Sequence, residues 1–473
     1  MTDAPVRGAA GKLALIGLGT LAVPLDTAVN IAFPHITGHF GLPLAMIQWV
    51  VIAYVLTHGS LMLAMGRVGD IIGHALVFRI GLAWSALAYV ACALAPTYPL
   101  LLGARVLQGV GAALVISCGA ALATSLYPES RRGRILGWYA LCFAAGSVIG
   151  PSFAGLLVDR FGWPVVFWFR IPIALAALLL LRGLPAPPRA TRREPFDAPG
   201  AVLATATLVA LLLAINQARH LGAGEVQAVG LFALALAGLA GFLWWARRAP
   251  RPLIALHHFR SLEFSLANLG NALVNLAAFG VLLFVPYYLA RIAALPSGLA
   301  GFVLASGPLG MMLASPLAGR LLVRFSARAV TLAGAGLVAI GLFLVSRWGA
   351  AEPVWWLLAS LLLTGAGLGL QTVSYTDLVT GAMPRADRGV AGSLAMMTRT
   401  VGLVVAASLL TLLFAVLEAA AVAHGAAAGE AFLHAFGGTF AAAAAIPAAY
   451  VALSLLLRSR PTPSGSAPPA PRG

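Results

Sequence analysis

Long apolar stretches separated by short polar segments run through the whole chain. Most are close to the roughly 20 residues that an α-helix needs to cross a bilayer core about 30 Å thick. The short alternating segments of a membrane β-barrel do not occur in the pattern. The sequence therefore predicts an all-α integral membrane protein with about fourteen spans, near residues 13–35, 45–66, 76–95, 98–126, 133–158, 163–184, 198–218, 226–246, 264–290, 297–323, 327–347, 352–379, 390–417 and 435–457.

Composition supports the membrane prediction. Hydrophobic residues make up 61% of the 473 positions and charged residues only 9%, whereas a soluble domain carries about 25%. A soluble protein of this size could not cover its surface with so few polar groups. The net charge of +16 would indicate a nucleic-acid partner in a soluble protein, but here the cationic residues lie in short gaps between apolar stretches. We expect a lipid bilayer and no nucleic acid.

The distribution of cationic residues predicts the orientation. If the N-terminus is cytoplasmic, 23 of the 30 Lys and Arg residues fall in cytoplasmic segments. Four fall outside and three lie within spans: Arg160, Arg219, Arg291 and Arg347 in the first group, Arg105, Arg170 and Arg399 in the second. We expect a multi-pass protein of a bacterial-type cytoplasmic (inner) membrane, with both termini in the cytoplasm and the first span retained. The three cysteines lie in apolar stretches and are expected to be free thiols.

A faint internal repeat indicates two related halves. Three short matches recur at offsets of 253 to 256 residues: Gly66-Arg67 with Gly319-Arg320, Arg132-Gly133 with Arg388-Gly389, and Gly146 with Gly402. Duplicated halves around a central site are common in transporters. The predicted organisation is an N-terminal six-helix half over 1–184, a linker with two inserted helices over 185–260, a C-terminal six-helix half over 261–457, and a disordered cytoplasmic tail over 458–473.

Four segments combine glycine with polar residues inside or beside apolar stretches. They read LDTAVNIAFP at 25–34, GRVGDIIGH at 66–74, LLGARVLQGVGAA at 101–113 and GSVIGPSFAG at 146–155. Charged side chains within spans are costly, so Asp26 and Arg105 are expected to face protein or a water-filled cavity. The glycines allow helices to approach closely, and Pro151 makes the fifth span kinkable.

In this order the four segments resemble elements of the major facilitator superfamily. The first resembles an element of its fourteen-span drug:proton antiporter family, and the last resembles an element associated with antiporters. There are departures: Ile71 and His74 stand where arginines are usual, Ala154 replaces a glycine, and Val323 stands where the second half should carry an aspartate. The resemblance implies a major facilitator fold with two six-helix halves plus two inserted central helices. It also implies proton-coupled efflux of small hydrophobic or cationic compounds, of the multidrug type.

The resemblance and the polar residues within spans give the candidate site residues. Proton coupling is expected at Asp26 and Arg105. Substrate binding is expected at Asp26, Asn30, Tyr54, His58, Gln108 and Asp377. The predicted cytoplasmic gate comprises Gly66, Arg67, Asp70 and Gly73, with Asp70 able to pair with Arg131, Arg132 or Arg134. The predicted antiporter motif comprises Gly146, Gly150, Pro151 and Gly155.

Depth counting adds a prediction that does not need the resemblance. Asp26 lies nine residues before His35, and Arg105 lies nine residues after Pro96, so both sit about 13 Å below the predicted outer face. They are expected to share one cavity. A carboxylate held there can take up or release a proton according to whether arginine, water or substrate lies beside it. We therefore expect proton and substrate to compete at or near Asp26.

Other polar residues within spans leave alternatives open. His58 is either a titrating group or a helix-packing histidine. Asp377 is either interfacial or part of a substrate site, and Arg399 either faces a cytoplasmic gate or pairs with Asp377. Arg170 stands where relatives typically carry asparagine, and its side chain is expected to snorkel outward. An aromatic cavity or lipid-facing anchors are alternative roles for Trp49, Tyr54, Phe143, Phe279, Phe284, Tyr287 and Tyr288.

Three competing functions stay open at this stage: a proton-coupled symporter, an exporter of a specific metabolite or lipid, and a membrane sensor or scaffold. An enzyme is not expected, because no phosphate loop ending in GK[ST] occurs. A metal site is not expected either, although His424, Glu430 and His434 fall in a predicted outer loop over 418–434. The expected partners are the bilayer, a small-molecule substrate and protons, with no cofactor beyond the proton gradient, and the chain is expected to be monomeric.

Overall fold

The computed structural model describes residues 9–128, 131–181, 197–217, 225–249, 256–383 and 388–457, and every regular element within these ranges is helical. The helices are α1 (Ala9–Leu21), α2 (Ala28–Ile31), α3 (Phe33–Phe40), α4 (Gln48–Ile72), α5 (His74–Ala93), α6 (Tyr98–Thr124), α7 (Arg132–Phe161), α8 (Val165–Trp168), α9 (Arg170–Leu180), α10 (Ala198–Gln217), α11 (Glu225–Arg248), α12 (Leu262–Arg291), α13 (Ser297–Leu321), α14 (Ala327–Ser346), α15 (Val354–Gly381), α16 (Arg388–Ala423) and α17 (Ala428–Leu456).

The all-α membrane fold is confirmed, whereas the count of fourteen spans is not. Among the described residues, eleven helical segments are long and apolar enough to cross a membrane. Shorter apolar helices occupy Val165–Leu180 and Val202–Leu211. Each of the fourteen predicted segments contains helix. The two counts therefore differ only in which helices are long and apolar enough to count as a full span. The proposed domain boundaries stay a prediction.

The first span is broken, although the sequence pattern predicts one continuous helix. After α1 the chain makes a 3₁₀ turn at Pro24–Thr27 before α2 and α3 continue to Phe40. Pro24 lacks the N–H that would bond to the preceding turn, and Pro34 lies in the first turn of α3. The break places Asp26 in a turn within the bundle, where its carboxylate can be approached from several helices.

The predicted outer loop over 418–434 is wrong. Helix α16 continues to Ala423 and α17 begins at Ala428, with Gly425 at a φ of 86° in the turn between them. A left-handed conformation of this kind suits glycine. Within the described ranges, no group of three or more His, Cys, Asp or Glu residues is arranged to hold a metal ion.

The same helix pair recurs in both halves. Gly146 of α7 packs against Leu21 and Pro24 of the first span, and Gly402 of α16 packs against Ala272 of α12. A side chain at either glycine would overlap its neighbour, so the close approach requires glycine. This pairing matches the 256-residue offset of the internal repeat. Helices α10 and α11, which the sequence predicts as insertions, pack chiefly against each other.

The two halves meet at the predicted outer end of the bundle. Gly155 of α7 lies against the Ser297 carbonyl of α13, and Asp159 accepts hydrogen bonds from the Ser297 backbone N–H at 3.0 Å and from its hydroxyl. Tyr287 of α12 donates to Thr37 of α3 at 3.3 Å. The largest apolar core includes residues of both halves at this end. We call these contacts the outer seal.

Near the predicted cytoplasmic end, one glycine of α7 and one of α13 have no close neighbour among the described residues. A Cβ added at Gly137 of α7 or at Gly319 of α13 would have no atom of another residue within 4 Å. The apolar cluster at this end of the N-terminal half contains residues of that half alone. The described structure is therefore closed on the predicted outer side.

Candidate functional site

The carboxylate of Asp26 lies at the centre of a polar cluster in the N-terminal half. Arg105 of α6 donates to both of its oxygens, from Nη1 at 2.6 Å and Nη2 at 2.8 Å. Gln108, one turn further along α6, donates from Nε2 at 2.7 Å. The structure thus brings Asp26 and Arg105 into a two-point ion pair, the strongest geometry for a guanidinium and a carboxylate.

Arg105 is held in place by contacts besides Asp26. Its side chain is 1% exposed, and its Nε donates to the carbonyl of Val50 in α4 at 2.8 Å. Its Nη1 also donates to Gln108 Oε1 at 2.7 Å, and its guanidinium lies 4.5 Å from the centre of the Tyr54 ring. These contacts connect α4, α6 and the break in the first span.

Arg170 completes the cluster, and the expectation that it snorkels outward is wrong. Its side chain is fully buried and donates to Asp26 Oδ1 at 2.8 Å. It also donates to the Ala22 carbonyl and the Tyr89 hydroxyl, each at 3.2 Å, and its guanidinium lies 4.1 Å from the centre of the Tyr89 ring. The signal for this role was an arginine in the middle of the apolar run FWFRIPI.

The Asp26 cluster, as we call it, comprises Asp26, Tyr54, Tyr89, Arg105, Gln108 and Arg170. With Asp26 and the two arginines charged and the tyrosines neutral, it carries one negative and two positive charges, a surplus of one positive charge. Removing charges from water is costly unless they are paired and hydrogen-bonded. Asp26 therefore stabilises both guanidiniums, and a proton arriving at its carboxylate would remove the charge that pairs with them.

The other predicted substrate residues are placed unevenly. His58 stacks on Tyr54 with ring centres 5.2 Å apart, so it adjoins the Asp26 cluster. Asn30 is half-buried in α2, one turn beyond Asp26. Asp377 is exposed in the last turn of α15, and within the described part of the chain it forms no ion pair with Arg399. The structure thus does not bring Asp377 to the cluster.

The predicted gate motif lies where α4 ends and α5 begins. Gly73 adopts a φ of 104° between the two helices, a conformation that favours glycine. Gly66 lies on α4, near Ser117 of α6. The side chains of Arg67 and Asp70 lie outside what the structure describes, so the pairing of Asp70 with the arginines that precede the fifth span stays a prediction.

The predicted antiporter motif connects the cluster to the outer seal. Gly146 and Gly150 pack against the broken turn of the first span, and Thr27 of that turn donates to the Ser147 carbonyl at 3.1 Å. Further along α7, Gly155 lies against α13, and the Pro151 carbonyl lies against Gly301 of that helix. One helix therefore contacts both the turn that carries Asp26 and the opposite half.

A neutral polar network in the C-terminal half was not predicted. Asn271 of α12 donates to Thr398 Oγ1 at 2.7 Å, Gln371 donates to Asn271 Oδ1 at 3.3 Å, and Tyr375 donates to Asn268 Oδ1 at 2.9 Å. The signal was present in the apolar run of α12, where asparagines at 268, 271 and 275 recur at helical spacing on one face.

Several of the predicted cavity aromatics pack within the bundle instead. Phe284 stacks on Phe414 with ring centres 4.7 Å apart, and Tyr288 stacks on Phe436 at 5.0 Å. Tyr287 contributes to the outer seal through its hydroxyl. Of the seven aromatic residues considered, Tyr54 is the one that belongs to the Asp26 cluster.

Comparison with known proteins supplies the family. The family model described as Major Facilitator Superfamily matches residues 16–266 and 267–472. The chain belongs to this superfamily. The solved structure of a bacterial homologue of the human lysosomal transporter Spinster, described as inward-facing and unoccupied, aligns over 96% of this chain and 99% of that one, with a TM-score of 0.67 at 17% identity. A POT family transporter in complex with a thioalcohol-conjugated peptide gives a TM-score of 0.70 at 14% identity, over 96% and 97% of the chains.

Several relatives are named as multidrug resistance or export proteins. The multidrug resistance protein Stp of Mycobacterium tuberculosis is 30% identical over 82% of this chain and 72% of its own length. The tetracenomycin C resistance and export protein of Streptomyces glaucescens is 30% identical over 84% and 75%. The riboflavin transporter RibZ of Clostridioides difficile is 28% identical over 80% and 83%. The chain is thus a major facilitator superfamily member whose relatives include proteins named for multidrug resistance and export.

Proposed function

We propose that this transporter exports small, largely hydrophobic compounds in exchange for protons. The observation that carries the proposal is the Asp26 cluster: a carboxylate in a broken span, ion-paired to Arg105 and Arg170 and joined through α7 to the outer seal. The relatives named as multidrug resistance and export proteins support the direction of transport.

The cluster suggests how proton uptake would act on the halves. A proton that binds an oxygen of Asp26 removes the negative charge that holds Arg105 and Arg170. The released guanidiniums must find other partners, because an unpaired buried charge is costly. Those nearest are the Gln108 amide oxygen and the Ala22 carbonyl, which the two arginines already contact. The rearrangement would shift the turn that carries Asp26, which packs against Gly146 and Gly150 of α7. Through α7, the shift would reach the outer seal.

A vesicle assay with Asp26→Asn tests the proposal. In inside-out vesicles with an acidic interior, adding a transported compound should make the interior less acidic. Asp26→Asn should abolish this response, while Glu430→Gln, an exposed change in the first turn of α17, should keep it. Full proton coupling in well-folded Asp26→Asn protein would remove Asp26 from this role.

A proton-coupled symporter, or an exporter dedicated to one metabolite or lipid, is the second candidate. The riboflavin transporter among the relatives favours it. The same vesicles distinguish symport from antiport, since symport would move protons in the same direction as the compound. A sensor or scaffold would give no flux in reconstituted liposomes.

We further propose a bacterial cytoplasmic membrane location with both termini inside, a monomeric state, and no cofactor besides the proton gradient. The concentration of 23 of the 30 cationic residues on one side supports the orientation. A protease-sensitive tag at either terminus should be cleaved in inside-out vesicles and protected in intact cells. Cleavage in intact cells would reverse the orientation.

A further inference from the structure

Arg399 lies deep in the bundle, at the level of the middle of α4. Helices α4 and α16 are antiparallel, with Gln48 paired to Thr411 at 3.0 Å and Gly59 facing Thr400. The two contacts are eleven residues apart on each helix, so α4 and α16 keep the same register between them. At 1.5 Å per residue, Arg399 is thus about 17–18 Å from the Gln48–Thr411 contact and far from either end of α4. A position at the membrane interface does not fit this depth.

The side chain of Arg399 is exposed, and the next residue, Thr400, faces Gly59 of α4 at the contact between the halves. Ala406 and Leu410, seven and eleven residues further on, share the same face of α16. Both are buried, at 0% and 1% exposure, whereas Arg399 is exposed. Leu410 lies beside Gly280 of α12 in its own half, and the exposed part of this face lies nearer the predicted cytoplasmic end. Arg399 is also near enough to His58 of α4 for its charge to act on the imidazole.

The charges around Arg399 do not balance. The described residues offer Arg399 no carboxylate at ion-pair distance. Asp26 is already paired with Arg105 and Arg170, which leaves the Asp26 cluster with a surplus positive charge. Every other acidic residue on a described helix lies within five residues of a helix end. The middle of the bundle is therefore cationic, and a cationic compound would be repelled there.

We propose that the transported compound carries an anionic group, of the size of a carboxylate, which pairs with Arg399 near the contact between the halves. The inference rests on the proposed transport function and replaces the expectation of cationic cargo. A guanidinium binds a carboxylate through two parallel hydrogen bonds, and this geometry gives selectivity as well as affinity. The apolar remainder of the compound would lie against the aromatic side chains of Tyr54 and His58.

Binding of three matched probes tests the charge preference. Naphthoate, naphthamide and naphthylmethylammonium share one ring system and carry a negative, a neutral and a positive group. In equilibrium dialysis with the full-length purified protein, naphthoate should bind most tightly. Arg399→Gln should weaken naphthoate binding by about tenfold, or about 1.4 kcal/mol, and leave naphthamide unchanged. Arg399→Lys should retain most of the affinity.

The matched control is Arg347→Gln, at the exposed end of α14, which should leave the binding of all three probes unchanged. Two results would overturn the inference: naphthoate binding no better than naphthamide, or Arg399→Gln weakening all three probes equally. Proton movement in vesicles separates this inference from the proposed function. If naphthoate binds in an Arg399-dependent way but moves no protons, proton coupling is excluded and the anion inference stands. If the ammonium probe drives proton movement and naphthoate does not, the anion inference is excluded and proton coupling stands.

Discussion

A single carboxylate, Asp26, stabilises two buried arginines, and the two do not depend on it equally. Arg105 makes the two-point pair and also bonds Val50 and Gln108 at 2.7–2.8 Å. Arg170 makes one short bond to Asp26, and its remaining bonds are 3.2 Å long. Because the cluster carries surplus positive charge, removing one arginine relieves an imbalance while removing Asp26 enlarges it.

This asymmetry predicts different stabilities for two matched variants. Arg105→Met should lower the free energy of unfolding by about 3–5 kcal/mol, the typical cost of breaking a buried ion pair from one side. Arg170→Met should cost only about 1–2 kcal/mol, because Asp26 keeps Arg105 and Gln108 and the lost neutral bonds are weak. Unfolding of the purified protein in mixed detergent micelles measures both.

Adding Arg170→Met to Asp26→Asn should recover part of the stability that Asp26→Asn loses, since it removes one of the two unpaired guanidiniums. Equal losses for Arg105→Met and Arg170→Met would contradict the unequal dependence of the two arginines on Asp26. Simple additivity in the double variant would contradict a surplus positive charge in the cluster.

Prediction from sequence succeeded for the depth of a residue in the membrane. It failed for the direction of a side chain around the helix axis. Counting residues from the loops placed Asp26 and Arg105 at one level, and the structure pairs them. Arg170 lies just past the break between α8 and α9, so the direction of its side chain depends on how that break turns the chain. Hydrophobicity carries no such information in a span that is apolar all round.

At the scale of elements, α7 is the connection between the Asp26 cluster and the outer seal. Its glycines face the broken first span near one end and α13 near the other, with Pro151 between them. Without an N–H, proline leaves one backbone carbonyl of the preceding turn unbonded and permits bending there. A bend at Pro151 would alter both contacts together.

A large side chain at Gly155 should prevent the outer seal from closing. Gly155→Leu would place atoms against the Ser297 carbonyl and backbone of α13, which cannot give way as a flexible side chain would. We expect transport to be lost while the protein stays folded. Gly137→Leu on the same helix, where no neighbour lies within 4 Å, should transport normally.

Labelling measures the seal directly. In a background free of Cys92, Cys118 and Cys142, a cysteine at the buried Thr37 position should react slowly with a membrane-impermeant maleimide added from outside. Gly155→Leu should speed that reaction about tenfold or more. An unchanged labelling rate together with lost transport would mean that Gly155 serves something other than closure.

Element boundaries were predicted well where polar loops are distinct and badly where alanine dominates. The span predicted at 98–126 is the helix Tyr98–Thr124. Segment 418–434, with His424, Glu430 and His434, was predicted as an outer loop, yet most of it is helical. Alanine has the highest helix propensity, and its abundance there outweighs the polar residues.

At the scale of the whole molecule, the two halves pack together at the predicted outer end. The largest core crosses between them at the predicted outer side, while separate smaller cores lie elsewhere within single halves. Alternating access needs the outer contacts to separate while the packing inside each half persists. The sequence indicated the two halves through its repeat, but not which end is closed, because both arrangements bury similar residues.

Two disulfide pairs test whether the halves move as rigid bodies. Asp159→Cys with Ser297→Cys crosses the outer seal, where the two native side chains are hydrogen-bonded. Thr331→Cys with Ser374→Cys lies within the C-terminal half, where the native hydroxyl oxygens are 2.9 Å apart on α14 and α15.

Mild oxidation should stop transport by the first pair, with recovery on reduction, because the seal can no longer open. The second pair should transport equally well oxidised or reduced, since α14 and α15 keep their packing as the halves rock. Undiminished transport by an oxidised, fully cross-linked seal would exclude opening at this surface, and inhibition by the second pair would show that the C-terminal half deforms internally during transport.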